Sequence, residues 1–199
     1  MSDAVTEARA LLRAPDLDLK ALGTLLNAMS HEERVSVIRA TSGKDQMKLW
    51  NAAEDEGTTL EDVVPSDVPP GTEVIHVGQN SLPVFRAFEK RFSRTASRED
   101  ALYGYNEGQT RAVIGPGYFV AHQFDERGEV GVDYHMVPPD DADLPAGWPT
   151  VKPNEKGLQM FVFAGMVDYL RRVSDHVTIG KAWRKGKETP NTFVLTRTP

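Results

Sequence analysis

The stretch IGPGYFVAHQFDERGEVGVDYHMVP, residues 114–138, decides the fold that the sequence predicts. Two runs rich in aromatic and β-branched residues, 118–124 and 129–137, flank the polar loop 125–128. A four-residue loop that ends in glycine fits a type I turn whose last residue adopts the left-handed conformation. The stretch therefore predicts the central β-hairpin of an antiparallel sheet.

Pairing Phe124 with Glu129 sorts the hairpin side chains onto two faces, because successive residues of a strand point to opposite sides. One face is mostly apolar and is predicted to face the core. Its members are Phe119, Ala121, Val130, Val132, Tyr134 and Met136, with Gln123 at its edge. The second face carries most of the polar side chains. Its members are Tyr118, Val120, His122, Phe124, Glu129, Asp133 and His135.

The second face has two interpretations. On an open sheet it would be the solvated side, and its polar residues would carry no special meaning. In a curled sheet or a barrel it would line a cavity that holds Tyr118, His122, Asp133 and His135. His122 lies diagonally from Asp133, and His135 is two residues further on. Such a cluster would serve as a general acid–base pair, as a polar clamp for a ligand, or as part of a metal site.

Composition limits the class of protein. The 199 residues leave room for one domain with an appendage or for two small domains. A hydrophobic content of 40% and a charged content of 26% are typical of a soluble globular protein. The absence of cysteine excludes disulfides, thiol chemistry and cysteine-type zinc sites. No apolar run suits a signal peptide or a membrane span, so we expect a cytoplasmic protein, from a bacterium.

The net charge of −6 is concentrated in the N-terminal part of the chain. Residues 1–62 hold 7 Lys and Arg against 12 Asp and Glu, whereas residues 63–199 hold 16 against 17. An acidic N-terminal region argues against a DNA-binding head, because attraction to phosphates supplies most of the non-specific affinity for nucleic acid. We therefore expect no nucleic-acid partner.

Four short amphipathic helices are predicted in the N-terminal region, the first over Asp3–Arg13 and the fourth over 44–53. Ser30 and Glu33 form a capping-box pattern at the start of the third. We therefore divide the chain into a helical region, 1–62, and an antiparallel α+β domain, 63–199. The helical region is a packing module and a candidate surface for self-association or for a protein partner.

The segment after the helices contains a linker and two further predicted elements. Residues 57–71 are acidic and rich in proline, which is typical of a linker, and 73–77 form a short strand candidate. A helix is predicted next, capped by Asn80 or Ser81 with Pro83 in its first turn. It carries an aromatic stripe, interpreted as core packing, and a basic stripe, interpreted as solvated surface or as a site for an anionic partner. The stripes are Phe85, Phe88 and Phe92, and Arg86, Lys90 and Arg94.

Two loops are candidate edges of a binding site. Residues 95–109 look irregular, and Tyr105 lies in their Tyr- and Gly-rich part, which is typical of binding-site mouths and of hairpin loops. Arg111 is predicted to enter a strand that ends at Gly115. The long Pro- and Asp-rich segment 138–153 is interpreted as a lid or as a surface excursion.

The most apolar helix is predicted over 158–173, lying across the sheet with Asp168 on its wet side, close to Arg171 or Arg172. The last two strands are predicted over Val177–Arg184 and 192–198. The basic side chains near their turn are interpreted as a charged hairpin tip or as a patch that grips an anion.

The C-terminal third resembles a known family. MVDYLRRV at 166–173, TIGKA at 178–182 and FVLTR at 193–197 resemble the end of small lipocalin-like domains of the GXWXG/DUF4334 type, whose function is poorly defined. The resemblance implies a β-barrel suited to apolar ligands. It carries over no functional residue, and the family's opening Gly-x-Trp-x-Gly pattern has no counterpart in this chain.

The predicted fold class is α+β: an N-terminal helical region followed by a curled antiparallel β-sheet, or a lipocalin-like barrel, with one long packing helix. The first functional hypothesis is the binding of a small apolar or anionic molecule in a pocket of that sheet. The residues predicted to contact the ligand are Tyr105, Arg111, Tyr118, His122, Asp133, Tyr134 and His135.

Two alternatives remain open. One is a protein-interaction or assembly module, a homo-oligomer included, that uses the N-terminal helices. The other is an enzyme in which His122, Asp133 or His135 transfers protons. The chain contains no nucleophile elbow, His-Glu-x-x-His, P-loop or dinucleotide fingerprint, so no metal ion, cofactor or catalytic residue is assigned.

Overall fold

The computed structural model describes residues 2–84, 86–109 and 111–199, and its centre is a closed barrel of eight antiparallel strands. Each strand pairs with its neighbours in sequence, and the first strand also pairs with the last. The strands are β1 (Val74–Asn80), β2 (Ala87–Thr95), β3 (Arg98–Glu107), β4 (Phe119–Phe124), β5 (Glu129–Asp133), β6 (Met166–Arg172), β7 (Val177–Arg184) and β8 (Lys187–Arg197).

Among the described residues, five helices precede the barrel, the fifth of them short, and two short helices lie in its connections. They are α1 (Asp3–Arg13), α2 (Leu19–Ala28), α3 (His31–Arg39), α4 (Gly43–Ala52), α5 (Leu60–Val63), α6 (Arg111–Ile114) and α7 (Gln159–Phe163). In the described part of the chain, no helix combines the length and the apolar character that crossing a membrane requires. The predicted N-terminal helical region and the α+β class with an antiparallel barrel are confirmed.

The predicted central hairpin is confirmed as β4 and β5. Phe124 pairs with Glu129, and Gly128 has the positive φ of 63° that the turn requires. The apolar face of this hairpin points into the barrel as predicted, and Phe119, Ala121 and Val130 are completely buried there. Met136 is an exception, because β5 ends at Asp133 and Met136 packs outside the barrel against the cluster that Trp148 also contacts.

Aromatic rings fill much of the barrel interior, and glycines on neighbouring strands make room for them. A Cβ atom on Gly104 would lie 2.3 Å from the ring of Phe119, and one on Gly180 would lie 2.2 Å from the ring of Phe193. These contacts leave no space for any side chain at the two glycines. Each ring therefore lies over the glycine that is opposite it on the neighbouring strand.

The helices α1–α4 pack on the outside of the barrel, against β7, β8 and β1. Their apolar side chains, such as Ala8 and Leu22, share one buried cluster with Ile179 and Val194, which point outward from β7 and β8. The capping box predicted at the start of α3 is present. Burial of this apolar surface holds the helices to the barrel wall. The domain division at residue 62 stays a prediction.

The prediction of a helix that carries the basic and aromatic stripes is wrong, because the segment with these residues forms β2. Phe88 and Phe92 are four residues apart, a spacing that places side chains on one face of a helix and equally on one face of a strand. In the strand, Lys90 lies between them on the same inward face, whereas a helix would have separated it from them. Phe85, the third aromatic residue of the predicted stripe, lies outside the described residues.

Two segments before the hairpin also differ from their predictions. The prediction that residues 95–109 are irregular is wrong, since β3 spans most of this segment and pairs with β2 and β4. The strand predicted to end at Gly115 is wrong as well. Its residues form the short helix α6, which lies between β3 and β4.

The long packing helix predicted over 158–173 is wrong for most of its length. Only α7 is helical, and it is followed by Gly165, whose φ of 73° belongs to the left-handed region. β6 comes next and pairs with β5 and β7. Met166, Asp168 and Leu170 therefore face the barrel interior together, and the predicted position of Asp168 on a wet helix face is wrong.

Candidate functional site

A cavity of about 470 Å³ opens at one end of the barrel, beside α6 and α7. This volume falls within the range of small-molecule sites, about 300–1,000 Å³. Its walls are inward-facing side chains of the strands together with Phe163 of α7, and its rim contains Arg86, Glu107 and Arg111. The lining side chains that the site uses are Phe88, Lys90, Asn106, Tyr134, Met166, Asp168 and Phe193.

Four polar side chains from four different segments meet in this cavity. Lys90 Nζ donates to Asn106 Oδ1 at 3.1 Å, to Asp168 Oδ2 at 3.0 Å and to the hydroxyl of Tyr134. Tyr134 in turn donates to Asp168 Oδ2 at 3.2 Å. Asn106 Nδ2 donates to the carbonyl of Gly117 at 2.9 Å, which fixes the amide orientation. We call Lys90, Asn106, Tyr134 and Asp168 the inner cluster.

The inner cluster is almost completely removed from solvent. The side chains of Lys90 and Asp168 are only 2% and 5% exposed. Asp168 Oδ1 is buried and has no hydrogen-bond partner among the residues that the structure describes. An unpaired buried acceptor costs about 1–3 kcal/mol. A ligand that donates a hydrogen bond to this oxygen would remove that cost.

Aromatic rings surround the charged end of Lys90. Its Nζ lies 5.0 Å from the ring centres of Tyr134 and Phe193 and 5.2 Å from that of Phe119. These distances allow cation–π attraction. Phe163 stacks on Tyr134 with ring centres 5.2 Å apart, so that α7 contributes directly to the cavity wall. The polar groups are therefore enclosed by apolar walls, which strengthens every electrostatic interaction among them.

Burial shifts the protonation of the cluster. It lowers the pKa of the Lys90 ammonium, and the neighbouring carboxylate of Asp168 opposes that shift. Burial and the same carboxylate raise the pKa of Tyr134 well above its ordinary value. Tyr134 therefore stays protonated and acts as a hydrogen-bond donor. Lys90 is a cation that gives up its proton more readily than an exposed lysine.

An apolar lip lies beside the mouth of the cavity, and its member Val162 also lines the cavity. In the described part of the chain, the large hydrophobic side chains that are exposed all lie in the three segments beside the mouth. They are Val84, Val113, Leu158, Met160, Phe161 and Val162. Arg184 holds α7 in place by donating to the carbonyls of Phe161 at 3.2 Å and Val162 at 2.5 Å. An apolar molecule that enters the cavity would meet this lip first.

The residues predicted to bind a ligand are divided among three places. Tyr134 lies inside the cavity and Arg111 lies on its rim. Tyr105 and Tyr118 point outward and pack against Trp148, with ring centres 5.0 Å and 6.2 Å from it. These two tyrosines are buried under the 138–153 loop, outside the barrel wall.

The third place is an outer cluster of His122, Asp133 and His135. Asp133 Oδ1 lies 2.7 Å from His135 Nδ1, and Asp133 Oδ2 lies 3.8 Å from His122 Nε2. The polar hairpin face thus lies on the outside of the barrel, and none of these three residues lines the cavity. Among the described residues, no three His, Asp or Glu side chains are grouped so that they could hold a metal ion.

Sequence reasoning missed Lys90, Asn106 and Asp168. The signal for two of them was present as a charged residue between apolar neighbours at a spacing of two: Phe88, Lys90 and Phe92, and Met166, Asp168 and Leu170. In a strand this pattern places the charge on a buried face, where it needs a partner. The sequence predicts a helix over both segments, and a helix does not place the charge between its two apolar neighbours on one face.

No protein family, curated protein or solved structure matches this chain.

Proposed function

We propose that the protein binds a small molecule with an apolar body and a polar head in the cavity of the barrel. The observation that carries the proposal is the inner cluster, a buried ion pair with two hydrogen-bonding neighbours in an open, aromatic-lined cavity. The apolar body would lie among Phe88, Phe163 and Phe193, and the head would meet the polar groups. The barrel is also the architecture that the lipocalin-like resemblance implies.

Energetics support a functional role for the ion pair. Replacing a buried ion pair by apolar residues of similar volume is often neutral or stabilising, so stability alone does not explain the pair. At the surface of a cavity, in contrast, the same groups orient a ligand and select its head group. Asp168 Oδ1 offers an acceptor that has no partner among the described residues, whereas Lys90 would donate to a ligand oxygen that replaces one of its three present partners.

The chemistry of the site defines the ligand class. Asp168 Oδ1 accepts a hydrogen bond, which suits a hydroxyl group. Lys90 and Tyr134 would donate to a hydroxyl or carbonyl oxygen that replaces one of their present partners. At the rim, Arg111 is paired with Glu107 at 2.8 Å, so the net positive charge that would favour an anionic ligand comes from Arg86. The apolar contribution comes from the walls, at about 25 cal/mol per Å² of apolar surface removed from water.

The two alternatives have weaker support. The apolar sides of α1–α4 are buried against the barrel, which leaves the exposed polar sides of these helices for a partner or a second copy. Proton transfer by the outer cluster would take place on the outside of the barrel, apart from the cavity. Both alternatives predict that filling the cavity has no effect on function.

Titration calorimetry tests the proposal with decan-1-ol, which carries an apolar chain and one hydroxyl head. We expect saturable binding with one site per chain and a negative heat-capacity change, the robust sign of apolar burial. Ala182 is buried on the cavity wall, so Ala182→Phe should fill the cavity and abolish binding. Ala146→Phe adds the same ring on an exposed loop and should bind as the wild type does. Equal binding by both variants would refute the proposal.

A further inference from the structure

The cavity holds an amine in an unusual setting. Lys90 Nζ lies in the wall of an aromatic-lined cavity, and its side chain is only 2% exposed. A carboxylate oxygen of Asp168 lies 3.0 Å from it, and the Tyr134 hydroxyl is in hydrogen-bond contact with both groups. A desolvated lysine with proton-transferring neighbours is the arrangement that activates an amine as a nucleophile toward carbonyl compounds.

We propose that Lys90 forms a reversible covalent imine with a ligand that carries an aldehyde or ketone group. The inference rests on the proposed function, because it concerns a molecule bound in the same cavity. It goes further in naming the ligand class and the atom that bonds to it. It also assigns the charged groups of the inner cluster a chemical role beyond orientation.

The residues account for every proton in the reaction. Lys90 transfers an ammonium proton to Asp168 Oδ2, and the neutral Nζ then attacks the carbonyl carbon. A C–N bond forms while the C=O π electrons move to the oxygen, which takes a proton from nitrogen. Asp168 returns its proton to the resulting hydroxyl, which leaves as water as the nitrogen lone pair forms the C=N bond. One ammonium and one carbonyl give one protonated imine and one water, without oxidant or reductant.

The residues that assist imine formation also stabilise the protonated imine. The protonated imine keeps the single positive charge of Lys90, so Asp168 remains its counter-ion in the cavity. Tyr134 remains protonated because its pKa is raised, and it donates a hydrogen bond to the departing oxygen. The rings of Phe119 and Phe193 next to Nζ limit the access of water that would hydrolyse the imine.

The lowered pKa of Lys90 supports the inference, since a larger fraction of this amine is neutral near pH 7 than of an exposed lysine. Binding of the ligand's apolar chain raises the local concentration of the carbonyl group at Nζ. Both effects favour Lys90 over the exposed lysines of the same chain, such as Lys44 and Lys187.

The test is reductive trapping of the full-length protein with decanal and sodium cyanoborohydride at pH 7, followed by peptide mapping. We expect Lys90 to be alkylated at least about tenfold faster than Lys44 and Lys187, which act as internal controls. Lys90→Arg keeps the positive charge next to Asp168 but cannot form an imine, so its fast alkylation should be lost. Asp168→Asn should slow trapping at Lys90 because the proton acceptor is gone.

Parallel titration with decan-1-ol separates this inference from the proposed function. If decan-1-ol binds but Lys90 is alkylated no faster than the exposed lysines, the imine is refuted and the binding function stands. If decan-1-ol does not bind and Lys90 is not preferentially alkylated, both are refuted. Circular dichroism of each variant confirms that the barrel is folded, so that a loss of trapping reports on chemistry.

Discussion

Two clusters of charged and polar side chains lie on opposite sides of the same barrel wall. In the inner cluster, Lys90 and Asp168 pair at 3.0 Å with both side chains almost completely buried. In the outer cluster, Asp133 lies between His122 and His135, whose side chains are 27% and 53% exposed. The outer cluster looked more like a catalytic site in the sequence. The comparison shows that burial beside a cavity, more than residue type, distinguishes a candidate site.

The largest difference between the clusters should appear in stability. Lys90→Met leaves the Asp168 carboxylate buried without its partner, so we expect a loss of about 3–5 kcal/mol in the free energy of unfolding. The double variant Lys90→Met/Asp168→Leu removes both charges and should recover most of that loss. Asp133→Asn in the outer cluster should change stability by less than about 1 kcal/mol. Urea denaturation measures all three.

Two results would contradict this stability prediction. If Lys90→Met were as stable as the wild type, the Lys90–Asp168 pair would not be desolvated as the structure shows. If the double variant were as unstable as the single variant, the loss would come from packing around the lysine stem and not from the stranded carboxylate.

Acid should destabilise the fold through a buried histidine. His76 faces the barrel interior with Nε2 2.9 Å from the carbonyl of Val63, and burial lowers its pKa to about 3. Between the ordinary pKa of about 6.5 and this value, the unfolded chain binds a proton that the folded chain does not. Stability should therefore fall with falling pH, by about 1.4 kcal/mol per unit from this group.

Denaturation curves at a series of pH values between 7 and 4 measure this effect. His76→Gln retains a side-chain N–H for the Val63 carbonyl and cannot be protonated, so its pH dependence should be shallower. Identical slopes for the wild type and His76→Gln would contradict the assignment.

Two tyrosines that the sequence placed in one site provide a smaller test. Tyr134→Phe removes a hydroxyl that contacts Lys90 and Asp168, so we expect affinity for decan-1-ol to fall by about threefold to tenfold, the value of one hydrogen bond. Tyr118→Phe removes a hydroxyl that donates to the Pro149 carbonyl outside the barrel and should leave affinity unchanged. Calorimetry measures both, and equal effects would mean that the ligand does not reach the inner cluster.

The smallest expected effect is that of His122→Ala. This side chain is partly exposed and stacks on Phe124 outside the barrel, so stability should change by no more than about 0.5 kcal/mol. Affinity for decan-1-ol should not change. A clear loss of affinity would instead support the ligand-binding role that the sequence predicts for this residue.

The sequence correctly predicts the helices and turns that depend on patterns of neighbouring residues. Helix α1 begins and ends where the amphipathic pattern does, and the turn at Gly128 follows from the backbone conformation that only glycine adopts without strain. β2 and β6 were missed because Phe88 and Phe92, and likewise Met166 and Leu170, are four residues apart. Residues four apart lie on one face of a helix and also on one face of a strand. Only pairing with neighbouring strands decides between the two structures.

The site depends on contacts that no local pattern contains. His76 in β1 pairs with Arg197 in β8, and this pairing between distant parts of the chain closes the barrel. Closure brings Lys90, Asn106 and Asp168 together from three strands. The residue types of the outer cluster could be recognised in the sequence, but its position outside the barrel could not.

The most direct test of the account is native mass spectrometry of the full-length protein after incubation with decan-1-ol. A denatured sample and the Ala182→Phe variant serve as controls. We predict one ligand mass per chain, lost on denaturation and absent from Ala182→Phe, because the cavity is the binding site. A bare chain at saturating ligand, or the same bound mass on Ala182→Phe, would contradict the account.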